Sequence, residues 1–288
     1  MKTVAIVGVG LIGGSFGLAL RKSGFTGELL GVSSPLAIQA GLKRGAISRE
    51  ASLEEALKVA DLIYLAQPVD RILQTLEAIG GLSVSGTQRS GGLITDAGST
   101  KAAIVQRASE CLHGAVFLGG HPLAGKEQRG VEAADADLFR GRPYVLTPTS
   151  GPLARARGSE AFKHWLAHIG AHLIEMSPAE HDATVAFTSH LPQLLSTALA
   201  GTLARQNNPY IREVFGSGLL DMTRLALSDP DLWASILATN KTDVVIAVNE
   251  LLAALRQLRD SIESEDSARF FECAAEFSST IRKIHHET

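Results

Sequence analysis

One histidine of the sequence, His121, stands in the Gly-rich segment GGHPLAG at residues 119–125. A neutral imidazole ordinarily has a pKa of about 6.5, so it can accept a proton near neutral pH. A lone histidine in a loop can equally be a structural or merely exposed residue. The residue type by itself therefore leaves two interpretations open, a catalytic base and a structural loop residue.

A glycine motif near the start of the chain predicts a dinucleotide site. The β-branched run at residues 4–7 is followed by GVGLIG at residues 8–13 and then by an apolar helical pattern. In this context Gly8 permits a tight turn, Gly10 lets backbone N–H groups approach a pyrophosphate, and Gly13 lets the helix lie close to the strand. The pyrophosphate would lie at the helix N-terminus, whose first residues are Leu11 and Ile12. The alternative is an ordinary Gly-rich turn without a ligand.

The first half of the chain alternates short apolar strand patterns with helical patterns. The strand candidates are Val4 to Val7, Leu29 to Ser33, Asp61 to Ala66, Leu93 to Asp96, Ala115 to Leu118, Tyr144 to Thr147 and His172 to Met176. This alternation predicts a doubly wound, Rossmann-type parallel sheet of the α/β class, in which ligands bind beyond the carboxyl ends of the strands. Four sets of residues should therefore line one crevice: Ser33 and Ser34, Gln67 and Pro68, Gly98 to Lys101, and Gly120 to Pro122.

The residues after the second strand bear on the choice between NAD and NADP. NAD sites usually place an Asp or Glu about 20 residues past the glycine motif, where it accepts a hydrogen bond from the ribose 2′-OH. This chain has Ser33 and Ser34 there. Hydroxyl groups can donate to a 2′-phosphate, and no carboxylate stands there to repel it. The sequence therefore favours NADP over NAD, although that loop contains no arginine.

The second half of the chain has helical patterns. The segment SPAE at residues 177–180 is typical of a capping box with proline at the first helical position. We therefore divide the chain into a dinucleotide-binding domain at 1–177 and an all-helical substrate and dimerisation domain at 178–288. A second capped helix is predicted to begin at Asp229 and Pro230.

A proline within the first of these helices predicts a local distortion. Pro192 removes one backbone hydrogen bond and crowds the carbonyl group of Thr188, so we expect a kink between these residues. The kink would expose polar atoms beside Ser189, His190 and Gln193, which is costly in a core and useful in a binding site.

A long apolar stripe in the helical half predicts a homodimer. Its residues recur mostly at three-, four- and seven-residue steps, at Leu237, Val244, Val248, Leu251, Leu255, Leu258 and Ile262. One protomer of this size would leave part of that stripe uncovered. The alternative is a monomer that folds the stripe inward.

The composition excludes several other classes of protein. A formal net charge of −3 offers no basic field for a nucleic acid, so a small-molecule ligand is the better expectation. No segment is apolar enough for a membrane span, and the two cysteines match neither a disulfide framework nor a metal site, which fits a reducing cytoplasm. We expect no metal site, because Gly170 separates His172 from His164 and His168 and no carboxylate or cysteine joins them.

Five segments together resemble the prephenate/arogenate dehydrogenases of tyrosine biosynthesis, and the resemblance spans almost the whole chain. They are GVGLIGGS, TDAGSTK at 95–101, GGHPLAG, SHLPQ at 189–193 and DMTRLALSDPDLW at 221–233. Members of this family oxidise the ring carbinol of a cyclohexadienyl acid, pass hydride to NAD or NADP and release CO₂. The resemblance implies a nucleotide-binding domain followed by a helical dimerisation domain.

The resemblance also implies roles for individual residues. His121 matches the catalytic histidine, with small neighbours that leave room for the substrate, and Ser99 matches a serine that hydrogen-bonds near the reacting hydroxyl group. Arg224 matches the arginine that binds the ring carboxylate, although by itself it could be a surface residue paired with Asp221. Glu127 matches an acid near the entrance of the site.

One position departs from the family pattern. Many relatives read SHLPH, whereas this chain has Gln193 at the last position, which keeps hydrogen-bonding capacity and loses the possibility of a charge. This difference leaves prephenate and arogenate as alternative substrates. His190 is retained, as either a substrate-binding residue or a packing residue.

Two other functions remain as alternatives at this level. One is a different two-domain dehydrogenase that acts on a β-hydroxy acid, which would generally use a lysine as its base. The other is a sensor protein that binds NADP without turnover, which would have no need for His121, Ser99 and Arg224 together.

Overall fold

The computed structural model describes residues 1–84, 92–112, 115–126, 128–148, 157–264 and 267–287. The strands of its sheet are β1 (Thr3–Val7), β2 (Glu28–Val32), β3 (Arg49–Glu50), β4 (Leu62–Leu65), β5 (Leu93–Asp96), β6 (Val116–Pro122), β7 (Pro143–Pro148) and β8 (His172–Glu175). They form one eight-stranded sheet of order β3-β2-β1-β4-β5-β6-β7-β8.

Helices connect the strands and make up the second half of the chain. In the first half they are α1 (Leu11–Lys22), α2 (Pro35–Arg44), α3 (Leu53–Val59), α4 (Val69–Val84), α5 (Ala102–Cys111) and α6 (Arg157–His168). In the second half they are α7 (Pro178–Val185), α8 (Leu191–Ala204), α9 (Ser217–Thr223), α10 (Pro230–Thr239), α11 (Lys241–Glu263) and α12 (Ala268–Glu287). The predicted Rossmann-type sheet followed by a helical region is confirmed.

The sheet departs from the predicted parallel arrangement at one place. β6 and β7 pair antiparallel, with His121 opposite Val145 and Pro122 opposite Tyr144, whereas the other pairs of the sheet are parallel. A parallel pair needs a long crossover, usually a helix, and an antiparallel pair does not. The described part of the connection from β6 to β7 contains a short 3₁₀ turn, Val131–Ala133, in place of a crossover helix. The short strand β3 was not predicted.

The central strands of the sheet are buried on both faces. Val4 and Ile6 belong to one apolar cluster, and Ala5 and Val7 belong to another. Because successive side chains of a strand point to opposite faces, the two clusters cover the two faces of the sheet. This double cover explains why a central strand such as β4, with the sequence LIYL, is a continuous apolar run. It leaves the carboxyl edge of the sheet as the place for polar residues.

The start of the helical region agrees with the sequence prediction. α7 begins at Pro178, where the Ser177 hydroxyl accepts from the Glu180 backbone N–H and the Glu180 carboxylate accepts from the Ser177 N–H. Between α7 and α8, at Ala186–His190, the chain forms a π-helical turn where the sequence predicts a kink. Pro192 has no N–H for the preceding turn, and a wider turn accommodates that loss.

The helical region exposes apolar side chains. Val244 of α11 packs against Ala186, but Leu255 and Ile262 of the same helix are 47% and 63% exposed. Phe271 and Phe277 of α12 are each 68% exposed. The described chain therefore does not fold the whole stripe inward. Among the described residues no helix is both long and apolar enough to cross a membrane.

Candidate active site

The glycine motif forms a tight turn between β1 and α1. Gly8 has a φ angle of +96°, and a Cβ atom there would lie 2.5 Å from the carbonyl oxygen of Ala66. A Cβ atom on Gly13 would lie 2.2 Å from the carbonyl oxygen of Gly8, so α1 can approach β1 only with glycine at that position. A Cβ atom on Gly10 would meet nothing within 4 Å. The backbone at Gly10 therefore borders open space at the N-terminus of α1.

A groove of about 470 Å³ opens at this turn. It is lined by residues that follow β1, β2 and β4 and by one short loop segment, namely Gly8, Val9, Gly10, Ser33, Ser34, Leu36, Ala37, Ala66, Gln67, Pro68, Arg71, Gly130, Val131 and Glu132. The structure thus brings together six of the residues predicted for the cofactor, and Leu11, Ile12 and Gly13 follow directly in the first turn of α1. The groove lies where β1 separates β2 from β4, the usual place of a dinucleotide.

The groove fits a dinucleotide on two structural grounds. The open space beside Gly10 lets a phosphate approach the backbone, which a side chain at that position would prevent. The first turn of α1 has no acidic residue, so its N-terminal N–H groups and the helix dipole favour an anion there. The binding role of each lining residue stays a prediction.

An arginine that was not predicted from the sequence lines the same groove as the two serines. Arg71, near the start of α4, is exposed, and its Nη1 atom donates to the Gln74 Oε1 atom at 3.0 Å. The Ser34 hydroxyl already accepts from the Ala37 N–H at 3.5 Å as the cap of α2, so Ser33 is the less committed of the two serines. Arg71 could have been found from the sequence, since it follows Gln67 and Pro68 at the end of the strand next to β1.

His121 lies on a strand, whereas the Gly-rich sequence around it predicted a loop. It is 8% exposed near the end of β6, where it pairs with Val145 of β7. Its small neighbours have a packing reason: a Cβ atom on Gly119 would lie 2.2 Å from Thr147 Oγ1, and one on Gly120 would lie 2.7 Å from the carbonyl oxygen of Asp96. Packing within the sheet therefore requires these glycines, and room for a substrate beside His121 stays a prediction.

A buried ion pair binds both backbone polar groups of Gly120, the residue before His121. The Gly120 N–H donates to Asp96 Oδ1 at 3.1 Å, and the Gly120 carbonyl oxygen accepts from Lys101 Nζ at 2.9 Å. Lys101 and Asp96 also form a salt bridge with each other, and both side chains are fully buried. Burial lowers the pKa of Lys101, and the nearby carboxylates of Asp96 and Asp182 oppose that shift. The two charged side chains thus fix the position of the strand that carries His121.

The ring of His121 is held by a residue of the helical region. His121 Nδ1 lies 2.8 Å from His181 Nε2, and His181 Nδ1 lies 2.7 Å from Asp182 Oδ1. Asp182 in turn accepts from the backbone N–H groups of Lys101, at 2.7 Å, and Ala102, at 2.9 Å. Burial lowers the pKa of His121 well below its usual value, and His181 and Lys101 lower it further. His121 is therefore neutral near pH 7.

His181 and Asp182 were not predicted from the sequence, because they belong to no motif of their own. The polar residues that follow Pro178 in the SPAEHD segment are equally typical of the exposed face of a helix. The capping box places the helix start, but only the packing of α7 against α5 shows that His181 and Asp182 face the sheet. Both are almost completely buried.

His190 and Gln193 lie on the helical side of the same region. The buried His190 ring packs against Trp233 at 5.7 Å between ring centres, and its Nδ1 atom lies 3.3 Å from Asn240 Nδ2. Asn240 also donates to the Asp182 carbonyl oxygen at 2.8 Å, which links His190 to the group around His121. Burial lowers the pKa of His190 to about 4.

Gln193 holds the turn that contains Arg224. Its Nε2 atom donates to the carbonyl oxygen of Leu225 at 2.7 Å, and its Oε1 atom accepts from the Ser228 hydroxyl at 3.0 Å. Both residues belong to or follow the 3₁₀ turn Arg224–Leu227. A glutamine can bind the carbonyl and the hydroxyl group at once, since its amide has both a donor and an acceptor.

For the remaining predicted residues within the described ranges, the structure gives the position in the fold. Arg224 is exposed at the start of its turn, and Asp229 beyond that turn forms a salt bridge with Arg129, which belongs to the loop after β6. Ser99 is partly exposed in the loop between β5 and α5. Arg224 therefore lies near the boundary between the two halves of the chain, and its convergence with His121 on one ligand stays a prediction. Glu127 lies outside the described residues.

No group of three or more His, Cys, Asp or Glu side chains that could hold a metal ion occurs within the described ranges. His164 and His168 stack at 5.8 Å between ring centres on the exposed part of α6. The left-handed Gly170, with a φ angle of +85°, ends that helix before His172.

Two family models match this chain in succession. The model described as "Prephenate dehydrogenase, nucleotide-binding domain" matches residues 16–175, and the model described as "Prephenate dehydrogenase, dimerization domain" matches residues 177–276. The prephenate dehydrogenase of Bacillus subtilis (strain 168) is 35% identical over 274 residues, which cover 93% of this chain and 72% of that protein.

Solved structures of similar proteins agree with these matches. The crystal structure of prephenate dehydrogenase from Aquifex aeolicus in complex with hydroxyphenyl propionate and NAD⁺ has a TM-score of 0.87 at 30% identity, with 99% of this chain and 98% of that chain covered. The structure of Synechocystis arogenate dehydrogenase has a TM-score of 0.80 at 27% identity, with 98% of this chain and 100% of that chain covered.

Proposed function

The chain belongs to the prephenate dehydrogenase family, and we propose that His121 is the base of its reaction, the nicotinamide-dependent oxidative decarboxylation of prephenate or arogenate. One observation carries this proposal. His121 is a buried, neutral imidazole whose Nδ1 atom is engaged by His181, which leaves Nε2 as the nitrogen for a substrate hydroxyl group. A base must be unprotonated before the reaction, and burial ensures this near neutral pH.

The chemistry requires a proton acceptor and a carboxylate site. When it is bound, the nicotinamide supplies the acceptor of the hydride that leaves the ring carbinol carbon. His121 takes the proton of the carbinol hydroxyl group as that carbon becomes a carbonyl. The C–C bond to the ring carboxylate then breaks, CO₂ leaves, and its electron pair makes the ring aromatic. His121 returns its proton to the resulting phenolate oxygen, and Ser99 orients this exchange.

Arg224 has the chemistry to orient the ring carboxylate. A guanidinium group suits a planar carboxylate because it can donate two parallel hydrogen bonds. Gln193, Ser228 and the salt bridge from Asp229 to Arg129 hold the turn that presents Arg224. A carboxylate that leaves as neutral CO₂ gains little from tight binding, so Arg224 acts mainly through binding and orientation.

Removal of this guanidinium is expected to raise the KM. Arg224→Ala should raise the KM for the cyclohexadienyl acid about 10-fold, which corresponds to about 1.4 kcal/mol of lost binding, and should leave the KM for the cofactor unchanged. Arg212→Ala, an exposed arginine of the same half, is the matched control. Steady-state kinetics with each substrate varied measures both constants. An unchanged KM for the acid would remove Arg224 from the site.

For the cofactor, we propose NADP in preference to NAD. Ser33 can donate to a 2′-phosphate, and Arg71, which lines the same groove, adds a positive charge. Glu132 also lines the groove, at the end formed by the loop after β6. No carboxylate follows β2 at the position where NAD enzymes bind the ribose 2′-OH.

The role of Arg71 can be measured through the choice of cofactor. Arg71→Gln should raise the KM for NADP about 10-fold and leave the KM for NAD within experimental error, because only NADP carries the 2′-phosphate. Arg140→Gln, an exposed arginine away from the groove, is the control. Equal effects of Arg71→Gln on both cofactors would contradict the assignment. Ser33→Asp should shift the preference from NADP towards NAD, because a carboxylate at this position accepts from the ribose 2′-OH and repels a 2′-phosphate.

We also propose that the chain forms a homodimer through residues 178–288, with residues 1–177 as the dinucleotide-binding domain. The description of the second family model as a dimerization domain supports this, as do the exposed apolar side chains of α11 and α12. Sedimentation equilibrium should give twice the chain mass of 30.4 kDa. A mass of one chain at micromolar concentration would contradict the proposal.

The direct test of the proposed function is an assay of substrate and cofactor pairs. Absorbance at the reduced-nicotinamide band would be followed with prephenate, arogenate and a β-hydroxy acid in turn, each with NAD and with NADP. We expect turnover with a cyclohexadienyl acid and a higher kcat/KM with NADP. Turnover with the β-hydroxy acid alone, or cofactor binding without any turnover, would contradict the proposal.

A further inference from the structure

A hydrogen-bonded series of three side chains runs from the site into the helical region. His121 of β6, His181 and Asp182 are joined by the contacts of 2.8 and 2.7 Å between ring nitrogens and carboxylate described above. The two imidazole rings are nearly perpendicular, with an interplanar angle of 69° and 5.0 Å between ring centres. Each of these side chains is at least nine-tenths buried. Water therefore does not compete for these hydrogen bonds.

The Asp182 carboxylate, at the end of this series, is fixed as a hydrogen-bond acceptor. Asp182 Oδ1 accepts from the Lys101 N–H, and Asp182 Oδ2 accepts from the Ala102 N–H, at the N-terminus of α5. Backbone N–H groups can only donate, and an ionised carboxylate can only accept. The positive end of the α5 helix dipole favours a negative charge at the same place. His181 Nδ1 must therefore carry a proton and donate it to Asp182.

The proton on His181 Nδ1 decides the state of the other nitrogens. When His181 is neutral, its imidazole has one donor and one acceptor nitrogen, so its Nε2 atom is an acceptor. His121 Nδ1, which lies 2.8 Å away, must then be the donor of that hydrogen bond. It follows that His121 Nε2 holds the lone pair. This is the tautomer that a base needs when its Nε2 atom faces the substrate.

We propose that His181 and Asp182 are positioning residues that fix His121 in its basic tautomer, an inference that rests on the proposed role of His121 as the base. They hold the ring and its proton, and they do not themselves contact the reacting atoms. Both residues belong to α7, while His121 belongs to the sheet. The helical region therefore orients the base that the sheet provides. Asn240 of the loop between α10 and α11 donates to the Asp182 carbonyl oxygen and ties α7 in place.

A purely structural role for these residues is the competing account. Asp182 caps α5, and this contact alone would stabilise the packing of α7 against α5. That role does not need a histidine at position 181, since any buried side chain of similar size would fill the space. The two accounts therefore differ in what they predict for His181 and for the protons of His121.

The pair of variants His181→Leu and His181→Gln separates the two accounts. Leucine removes the acceptor for the His121 Nδ1 proton, whereas the glutamine side-chain carbonyl can accept it from a similar position. We expect His181→Leu to lower kcat about 10- to 100-fold with little change in KM, and His181→Gln to restore most of kcat. His168→Gln, on the exposed part of α6, is the matched control.

Nitrogen-15 NMR of histidine-labelled protein at neutral pH reads the tautomer directly, with His121→Asn used to assign the signal. We expect His121 in the unsubstituted protein to be protonated on Nδ1 and unprotonated on Nε2, and His181→Leu to shift the proton towards Nε2. A parental protein with the proton on Nε2 would overturn the inference even if His181→Leu fails to fold. Parental kcat in His181→Leu would also overturn it.

The outcomes for the tautomer and for the function are distinguishable. If no cyclohexadienyl acid is oxidised, the proposed function fails, and the NMR result still stands on its own. If His121→Asn abolishes turnover while His181→Leu retains it, His121 remains the base and only the positioning role of His181 and Asp182 fails.

Discussion

His121→Asn is expected to lower kcat about 10²-fold or more and to leave the KM for the cofactor close to its parental value. General base catalysis contributes about 10²- to 10⁴-fold to a rate, and asparagine has no basic nitrogen. The asparagine amide can still donate to His181 Nε2, so the substitution removes the base without leaving that nitrogen unpaired. The cofactor groove is lined by residues that follow β1, β2 and β4 and by the loop residues 130–132, and its lining does not include His121.

The measurement for His121→Asn is a comparison of steady-state kinetics with thermal unfolding. The variant should keep a melting temperature near that of the parental protein while its turnover falls. The control His168→Gln, which changes an exposed histidine, should keep both quantities. Near-normal turnover in His121→Asn would show that this histidine is structural, which is the alternative that the sequence left open.

Lys101→Met is expected to destabilise the fold by about 3–5 kcal/mol. Lys101 and Asp96 are fully buried, and the loss of one partner leaves the other as an uncompensated buried charge. The same change removes the donor to the Gly120 carbonyl oxygen, which leaves a buried acceptor next to His121 without its partner. Methionine has nearly the length of lysine, so the effect is one of charge and hydrogen bonding more than of volume.

Urea unfolding, monitored by circular dichroism, measures the loss of unfolding free energy in Lys101→Met. The control is Lys58→Met, which breaks the salt bridge of Lys58 with Glu54 on the surface, where both side chains are 54% exposed. A pair so exposed contributes about 0–1 kcal/mol. Equal losses in the two variants would mean that the buried pair is not the anchor of the strand that carries His121.

The fold could be predicted from the sequence where local pattern and packing agree. The glycine motif after Val4 to Val7, the apolar strand runs and the Ser177 capping box each specify structure within a few residues. The antiparallel pair β6–β7 could not be predicted, because strand direction depends on where the connecting chain returns and not on the pattern of either strand. The π-helical turn before Pro192 is similar, since sequence indicates a lost hydrogen bond but not how the helix adapts.

The candidate site was less completely predicted than the fold. His121, Ser99 and Arg224 were identified through motifs. Asp96 was passed over, and Lys101 was expected to line the crevice, whereas its side chain is fully buried in an ion pair with Asp96. Sequence spacing cannot show that Asp96 and Lys101 hold the peptide at Gly120, because residues 24 and 19 positions apart meet there only through strand pairing. His181 and Asp182 could not be predicted, since their contacts cross between the two halves of the chain.

The reason given for the glycines before His121 was also incomplete. Gly119 and Gly120 were interpreted as space for a ligand, but they are required by the close approach of Thr147 and of the strand that carries Asp96. A strand with buried neighbours on both sides needs small residues wherever a side chain or backbone of the next strand comes close. The histidine is therefore held on a rigid strand, which suits a base whose ring must keep one orientation.

The most direct test of the central claim is a crystal structure of the chain with NADP and an unreactive hydroxyphenyl carboxylate. We expect the hydroxyl group of that ligand within hydrogen-bonding distance of His121 Nε2, about 2.6–3.2 Å, and its carboxylate on the guanidinium group of Arg224. A ligand bound away from His121, or His121 and Arg224 on opposite faces of the molecule, would contradict the claim that the two halves of the chain form one active site.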